Sequence, residues 1–148
     1  MAEVIRPALE AGKIVVSDRF VDSSLAYQGV ARGLGLDQIY RLNEWATGGL
    51  LPDLVLYMQM DAGAGLRRVS EDHDRIEREG HGFHERVGAA YVQLAREFPA
   101  RFVVLDAARS KAEVHAEVVA VYEQRTSEGP APPPAAAPPA GRTSPLPR

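Results

Sequence analysis

Apolar and polar positions along this chain alternate between two periods. Val4, Ile5, Ala8 and Leu9 recur at helical spacing, so residues 2–12 are read as a helix, with Pro7 tolerated near its first turn and Gly12 as its stop. Ile14 to Ser17 is a short continuous apolar run, the pattern of a parallel strand buried on both faces. Ser23 to Gly29 starts a second helix, and Gly29, Gly33 and Gly35 mark a loop. Asp37 then caps a third helix carrying Ile39, Leu42 and Ala46, with Tyr40 and Trp45 beside that stripe. Gly48-Gly49 ends it and Pro52 blocks its continuation.

Leu54 to Met60 reads as a second buried strand, closing at Asp61, and Phe102 to Leu105 as a third, closing at Asp106. Between them, residues 63–70 look like a helix start, and Asp74 with Glu77 has the spacing of a capping box. From Glu85 to Phe98 the apolar residues Val87, Tyr91, Leu94 and Phe98 fall on one helical face. Ser110 and Glu113 form a second capping box, opening a last helix with Val114, Val118, Val121 and Tyr122 inside. Short apolar strands separated by long helical stretches predict a parallel α/β sheet, whose ligands bind at the carboxyl ends of the strands.

Composition narrows the picture. Eight of the 11 prolines lie in residues 129–148, too biased to build a core. One domain over residues 1–126 and a disordered Pro/Ala-rich tail over 127–148 are expected. The net charge of −3 argues against a broad nucleic-acid-binding face. The absence of cysteine excludes disulfides and thiolate chemistry and suits a cytoplasmic setting. No apolar run reaches the length of a membrane span. His81 and His84, three apart with no further ligand at hand, read as exposed side chains rather than a metal pair.

Candidate chemistry concentrates after the first apolar run, in Asp18-Arg19-Phe20 followed by Ser23-Ser24-Leu25-Ala26-Tyr27-Gln28-Gly29 and Arg32. An acid and an arginine past a strand end offer one group for a metal ion and one for a phosphate. A guanidinium fork pairs with phosphate oxygens. A tyrosine offers a ring to wall off a nucleoside, and a glutamine an amide that can read a base edge.

This run closely resembles the nucleotide-acceptor signature of thymidylate kinases. The resemblance extends to Leu51-Pro52-Asp53-Leu54-Val55-Leu56-Tyr57, although Gln59 stands where the family usually has Asp. It continues in Gly65-Leu66-Arg67-Arg68-Val69 and Asp74-Arg75-Ile76-Glu77, similar to the lid, and in Phe83-His84-Glu85-Arg86-Val87, similar to the helix after it. Asp106-Ala107-Ala108 resembles the turn bordering the adenine.

The family is a homodimeric P-loop kinase with a three-layer α/β fold around a parallel sheet. It transfers the ATP γ-phosphate to dTMP with Mg²⁺. The resemblance implies that Arg19 binds the acceptor phosphate and that Asp18 lies near the magnesium and the transferred phosphate. Ser24 and Gln28 would contact the thymine and Tyr27 would disfavour a 2′-hydroxyl, with Arg32 completing the acceptor motif. Arg68 and Arg75 would be lid arginines, though the intervening Ser70-Glu71-Asp72-His73 is acidic and short.

One element of the family pattern is absent. No G-x-x-x-x-G-K-[ST] loop occurs, since Gly12-Lys13 is followed by Ile14 and preceded, five positions before Gly12, by Pro7. The resemblance places that loop ahead of Met1, so the sheet is expected to be incomplete and the chain inactive alone. Two alternatives accompany dTMP phosphorylation: a non-catalytic fragment that at most binds a nucleoside monophosphate, and a kinase for another nucleoside monophosphate.

Overall fold

A computed structural model describes residues 3–60 and 81–127. Helix α1, Ile5–Glu10, holds Pro7 in its first turn, and Gly12 at φ +71 turns the chain out of it. Arg6 reaches across to donate to the carbonyls of Thr47 and Gly48 at 2.9 and 2.7 Å, closing the end of a distant helix. The run at 14–17 is not a strand. It forms no regular element, with Ile14 68% and Val16 91% exposed. A strand exists through its ladder, and among the described residues none pairs with this run.

Helix α2, Val21–Ser24, runs directly into a π-helix, Leu25–Ala31. Val21, Leu25 and Ala26 are buried there. The wider turn presents Tyr27 and Gln28 part-way to the surface. Helix α3, Leu36–Thr47, starts from Gly35 and ends on a left-handed Gly48. Asp37 does not cap it. Its carboxylate instead pairs with Arg41 one turn on, at 3.2 Å. The buried face of α3 is Ile39, Tyr40 and Thr47, whereas Leu42, Trp45 and Ala46 face outward. The stripe expected from the sequence is rotated because Tyr40 stacks on Phe98, with ring centroids 6.3 Å apart.

Strand β1, Val55–Gln59, and strand β2, Phe102–Asp106, form a parallel pair in the register Val55↔Phe102 to Gln59↔Asp106. Between them in sequence, helix α4, His81–Glu97, buries Val87, Ala90 and Leu94, followed by Phe98. Helix α5, Lys111–Ser127, opens with the expected box: Ser110 N–H donates to Glu113 at 3.0 Å, and Glu113 N–H donates to the Ser110 hydroxyl at 3.3 Å. Its valines 114, 118 and 121 are half-buried and Tyr122 is exposed, so the interior position read for Tyr122 is not observed.

The result is a mixed α/β arrangement with a small parallel sheet. Its core joins α2 and the π-helix to α3, α4 and the base of β2 through Leu25, Ile39, Tyr40, Leu94 and Phe102. Among the described residues no helix is long and apolar enough to cross a membrane. The helix start at 63–70, the Asp74–Glu77 box, Asp61 and residues 128–148 of the tail lie outside the described residues, while Ser127 closes α5 rather than opening the tail.

Candidate functional site

Arg19 stands out in the backbone before its side chain is considered. Its φ is +63, and among the described residues it is the only non-glycine with positive φ. Holding an L-residue there costs on the order of 1–3 kcal/mol. The Ser17 hydroxyl donates to the Arg19 carbonyl at 2.9 Å and fixes this turn. The strained turn brings the guanidinium over the Tyr27 ring, 5.3 Å from its centroid.

Tyr27 meets Phe83 edge to face at 5.9 Å. Arg32 and Arg86 also lie over Phe83, at 5.5 and 5.6 Å. Arg86 Nε donates to the Ala31 carbonyl at 3.3 Å, tying α4 to the end of the π-helix. Three guanidiniums thus meet two rings on one face of the π-helix. Such a face suits a planar, aromatic anion: cation charge for a phosphate and ring walls for a nucleoside.

Beneath this face is a band of hydroxyls. The Ser23 and Tyr91 hydroxyls share a hydrogen bond of 2.8 Å, and Tyr91 stacks on Tyr57 at 4.6 Å with an interplanar angle of 11°. Burial holds the Tyr91 phenol above the ordinary value of 10.0, while the Ser23 hydrogen bond and the Arg19 charge pull the other way. Burial, with Tyr27 nearby, also raises Tyr57. Gln28 Oε1 is buried with no hydrogen-bond partner among the described residues, and so is His84 Nε2. A buried amide oxygen without a donor suits a ligand N–H. His84 is therefore not the exposed histidine expected from the sequence, and the side chain of His81 lies outside the described residues.

Of the residues singled out in the sequence, Arg19, Tyr27 and Arg32 come together around Phe83, and Ser24 and Gln28 lie on the same helical segment, both half-buried. Asp18 is exposed beside Arg19. Asp106, Ala107 and Ala108 lie elsewhere, at the carboxyl end of β2, where the Asp106 carboxylate accepts from Ala108 N–H at 2.9 Å. They border a hollow of about 350 Å³ lined by Met58, Met60, Ala107, Arg109, Val114 and His115 among others, and an adjoining one floored by Gln59 and Val104. No residue lining either hollow belongs to the arginine–ring cluster. Arg68 and Arg75 lie outside the described residues.

Phe83, Arg86 and Tyr91 are site-forming residues that sequence reasoning assigned only to a helix. The available signal was the spacing Phe83, Val87, Tyr91: one helical stripe with a phenol in it, followed around the helix by Arg86.

Among the described residues no three His, Asp or Glu side chains converge as a metal site. Magnesium keeps several waters and takes one or two carboxylates plus substrate phosphates, so a single exposed Asp18 fits that chemistry.

The family model for thymidylate kinase matches residues 1–118. Among curated proteins, the chain is 49% identical over 123 residues to the thymidylate kinase of Halothermothrix orenii, covering 80% of this chain and 58% of that protein. It is 44% identical over 129 residues to that of Geobacillus thermodenitrificans, covering 84% and 57%. Against that of Pediococcus pentosaceus it is 43% identical over 128 residues, covering 84% and 61%. The chain thus spans about three fifths of the length of the curated relatives it matches. With the family model matched over most of the sequence and these relatives 43–49% identical to it, the chain belongs to the thymidylate kinase family.

Proposed function

We propose that this chain carries the acceptor half of a thymidylate kinase: it binds dTMP on the Arg19–Tyr27–Phe83 face and presents its phosphate for transfer from ATP. The observation that carries this reading is the convergence of Arg19, Arg32 and Arg86 on the Tyr27 and Phe83 rings. Arg19 meets the acceptor phosphate, its strained turn holding the guanidinium over the Tyr27 ring. The Tyr27 ring closes the sugar side and disfavours a 2′-hydroxyl. Gln28 offers its unpartnered Oε1 to the thymine N–H, with Ser24 as a second polar contact. Bound with ATP, magnesium would supply charge neutralisation on the phosphates, and Asp18 is the carboxylate positioned to hold it. The hollow beside Asp106, Ala107 and Ala108 is the place for the adenine, and Arg68 and Arg75 are the lid arginines.

We further propose that the chain alone does not turn over. Phosphoryl transfer depends on positioning and on charge around the migrating group. The sequence holds no G-x-x-x-x-G-K-[ST] loop to supply them for the donor. In this reading the parallel sheet is part of a larger one, a P-loop-kinase-like three-layer fold. The unpaired apolar run at 14–17 and the two strands paired among the described residues support that, since parallel sheets ordinarily have both faces and most edges covered. A cytoplasmic homodimer belongs to the same reading.

The test is calorimetry on the 148-residue chain with dTMP, its ribonucleotide counterpart and dAMP, beside an ATP-to-dTMP transfer assay. The expected result is binding of dTMP in preference to both others, without turnover. Arg19→Ala should cost about 1.5–3 kcal/mol of dTMP affinity, the range for a charge-assisted contact. Unchanged affinity in Arg19→Ala, or equal binding of all three nucleotides, would remove the assignment. Turnover by this chain would overturn the claim that it lacks a donor site.

A further inference from the structure

We infer that Asp22 and Arg101 are a positioning pair for the acceptor face: a buried ion pair that locks the Arg19–Gln28 segment to the register of the sheet. The inference rests on the acceptor reading only for what the face binds.

The two groups meet as a fork. Arg101 Nη1 and Nη2 donate to Asp22 Oδ2 and Oδ1 at 3.2 and 2.7 Å, with only 7% and 6% of the side chains exposed. The guanidinium lies against two rings, 4.6 Å from the Phe98 centroid and 5.5 Å from that of Phe102. Its direction is therefore set before Asp22 arrives. The backbone of Arg101 is fixed as well. Its N–H donates to Phe98 at 3.1 Å, and its carbonyl accepts from Val55 at 2.7 Å, at the first rung of the β1–β2 pair. One residue thus holds the sheet register with its carbonyl and the start of α2 with its side chain.

Asp22 lies three residues after the strained Arg19 and five before Tyr27. The next residue, Ser23, is held by Tyr91 from α4. The segment bearing the phosphate-binding arginine is therefore gripped at two consecutive residues just beyond its strained turn.

Stability alone does not account for the ion pair. Burial pulls the Asp22 carboxyl above its ordinary value despite the Arg101 charge and hydrogen bonds, and Arg101 Nε is buried without a partner among the described residues. Buried pairs of this kind are often matched or bettered in stability by apolar residues of similar volume. What an apolar pair cannot supply is direction. Two parallel N–H···O bonds fix the rotation of α2 about its own axis, and with it the side from which Arg19 approaches Tyr27.

The experiment replaces the pair in the full 148-residue chain with Asp22→Leu plus Arg101→Met. Three quantities are read: the unfolding midpoint, the dTMP dissociation constant, and amide hydrogen exchange by residue. The double variant should melt at or above the parent and bind dTMP about tenfold or more weakly, which is about 1.4 kcal/mol. Exchange should accelerate across 19–28 and not across 87–97. Arg101→Lys keeps the charge without the fork, and is expected to fold, lose about threefold or more in affinity and show the same local acceleration. Affinity within about twofold of the parent, or unchanged exchange at 19–28, in a folded variant overturns the inference. If the double variant does not fold, Arg101→Lys decides. If neither folds, the pair is a stability element and the inference is wrong. Should the parent itself fail to bind dTMP, the acceptor reading falls and the exchange pattern alone decides the inference.

Discussion

The segments 13–17 and 21–31 are near neighbours in the chain, and their fates differ. Ile14, Val15 and Val16 form an apolar run that ends up in no regular element, with two of the three exposed. Val21, Leu25 and Ala26 form a sparser apolar pattern that is almost fully buried. The difference lies in where each finds its partner. The helical segment packs against α3 and α4 through Ile39 and Leu94, and each helix supplies its own backbone hydrogen bonds. A strand must borrow its hydrogen bonds from a neighbour, and for 14–17 none lies alongside among the described residues. An apolar run reports a capacity for burial, and pairing decides whether that capacity is used.

The largest expected effects test this contrast directly. Leu25→Ala and Leu94→Ala, both at fully buried positions, should each destabilise the chain by about 2–5 kcal/mol in denaturant unfolding. Val16→Ala, at a 91% exposed position, should stay within about 0.5 kcal/mol of the parent. A large loss from Val16→Ala would mean that residues 14–17 are packed in solution, and the contrast would collapse.

Legibility followed the same division. β1 and β2 were readable as strands because the apolar runs Leu54–Met58 and Phe102–Leu105 do find each other, but the burial expected of them is incomplete, with β1 only half-buried and Met58 and Val104 exposed. The Ser110–Glu113 box was readable because a cap is a local event. The stripe of α3 was misread because Leu42 and Trp45 are as apolar as Ile39 and Tyr40, and only the Tyr40–Phe98 stack chooses between the two faces. In the candidate site, Arg19, Tyr27, Gln28 and Arg32 were legible as a local motif. Phe83, Arg86, Tyr91 and Arg101 come to it from 51 or more positions beyond Arg32; the Phe83–Val87–Tyr91 stripe marks a helix, but nothing local ties that helix to the site.

Next in size is the strain at Arg19. Arg19→Gly and Arg19→Ala both remove the guanidinium from Tyr27, but only glycine accepts φ +63 without steric cost. Arg19→Gly should therefore be more stable than Arg19→Ala by about 1 kcal/mol, while both lose dTMP affinity alike. Equal stability of the two variants would mean that the turn relaxes once the side chain is gone, and that the positive φ belongs to the cation–ring contact rather than to the chain path.

The hydroxyl band should give a comparable or smaller effect, visible in alkali. Tyr91→Phe deletes the 2.8 Å bond to Ser23 and should cost about 0.5–1.5 kcal/mol. Both Tyr57 and Tyr91 have folded values raised above 10.0, chiefly by burial. The unfolded chain therefore releases these protons first. The stability they support is complete below pH 10.0 and falls as pH rises through the raised folded values. Denaturant unfolding on either side of that pH should show this decline in the parent and a shallower one in Tyr91→Phe. Identical alkaline slopes would place the titration on other groups.

The smallest effect belongs to the sheet side of the molecule, at the start of α5. Glu113 is exposed, and its carboxylate accepts from Ser110 N–H at 3.0 Å and from the Ser110 hydroxyl at 2.6 Å. Those two hydrogen bonds, first from the side chain and then from the backbone, hold Glu113 below its ordinary value of 4.5. The sign follows from linkage. A carboxylate lowered on folding lends stability above its unfolded value, and that stability is lost as pH falls through the lowered folded value. Glu113→Gln keeps an acceptor at the same position but no charge, so it should melt slightly below the parent at neutral pH. The two melting curves should converge as pH drops beneath 4.5. A constant gap at all pH values would show that geometry, rather than charge, carries the cap. The distinction bears on the comparison above, because the apolar face of α5 consists of half-buried valines, with Arg125 adding one hydrogen bond to the Ala100 carbonyl ahead of β2. A helix with so little buried face should depend on its cap more than α4 does, and the small gap at neutral pH should appear as faster amide exchange in the first turn of α5 before it appears anywhere in the core.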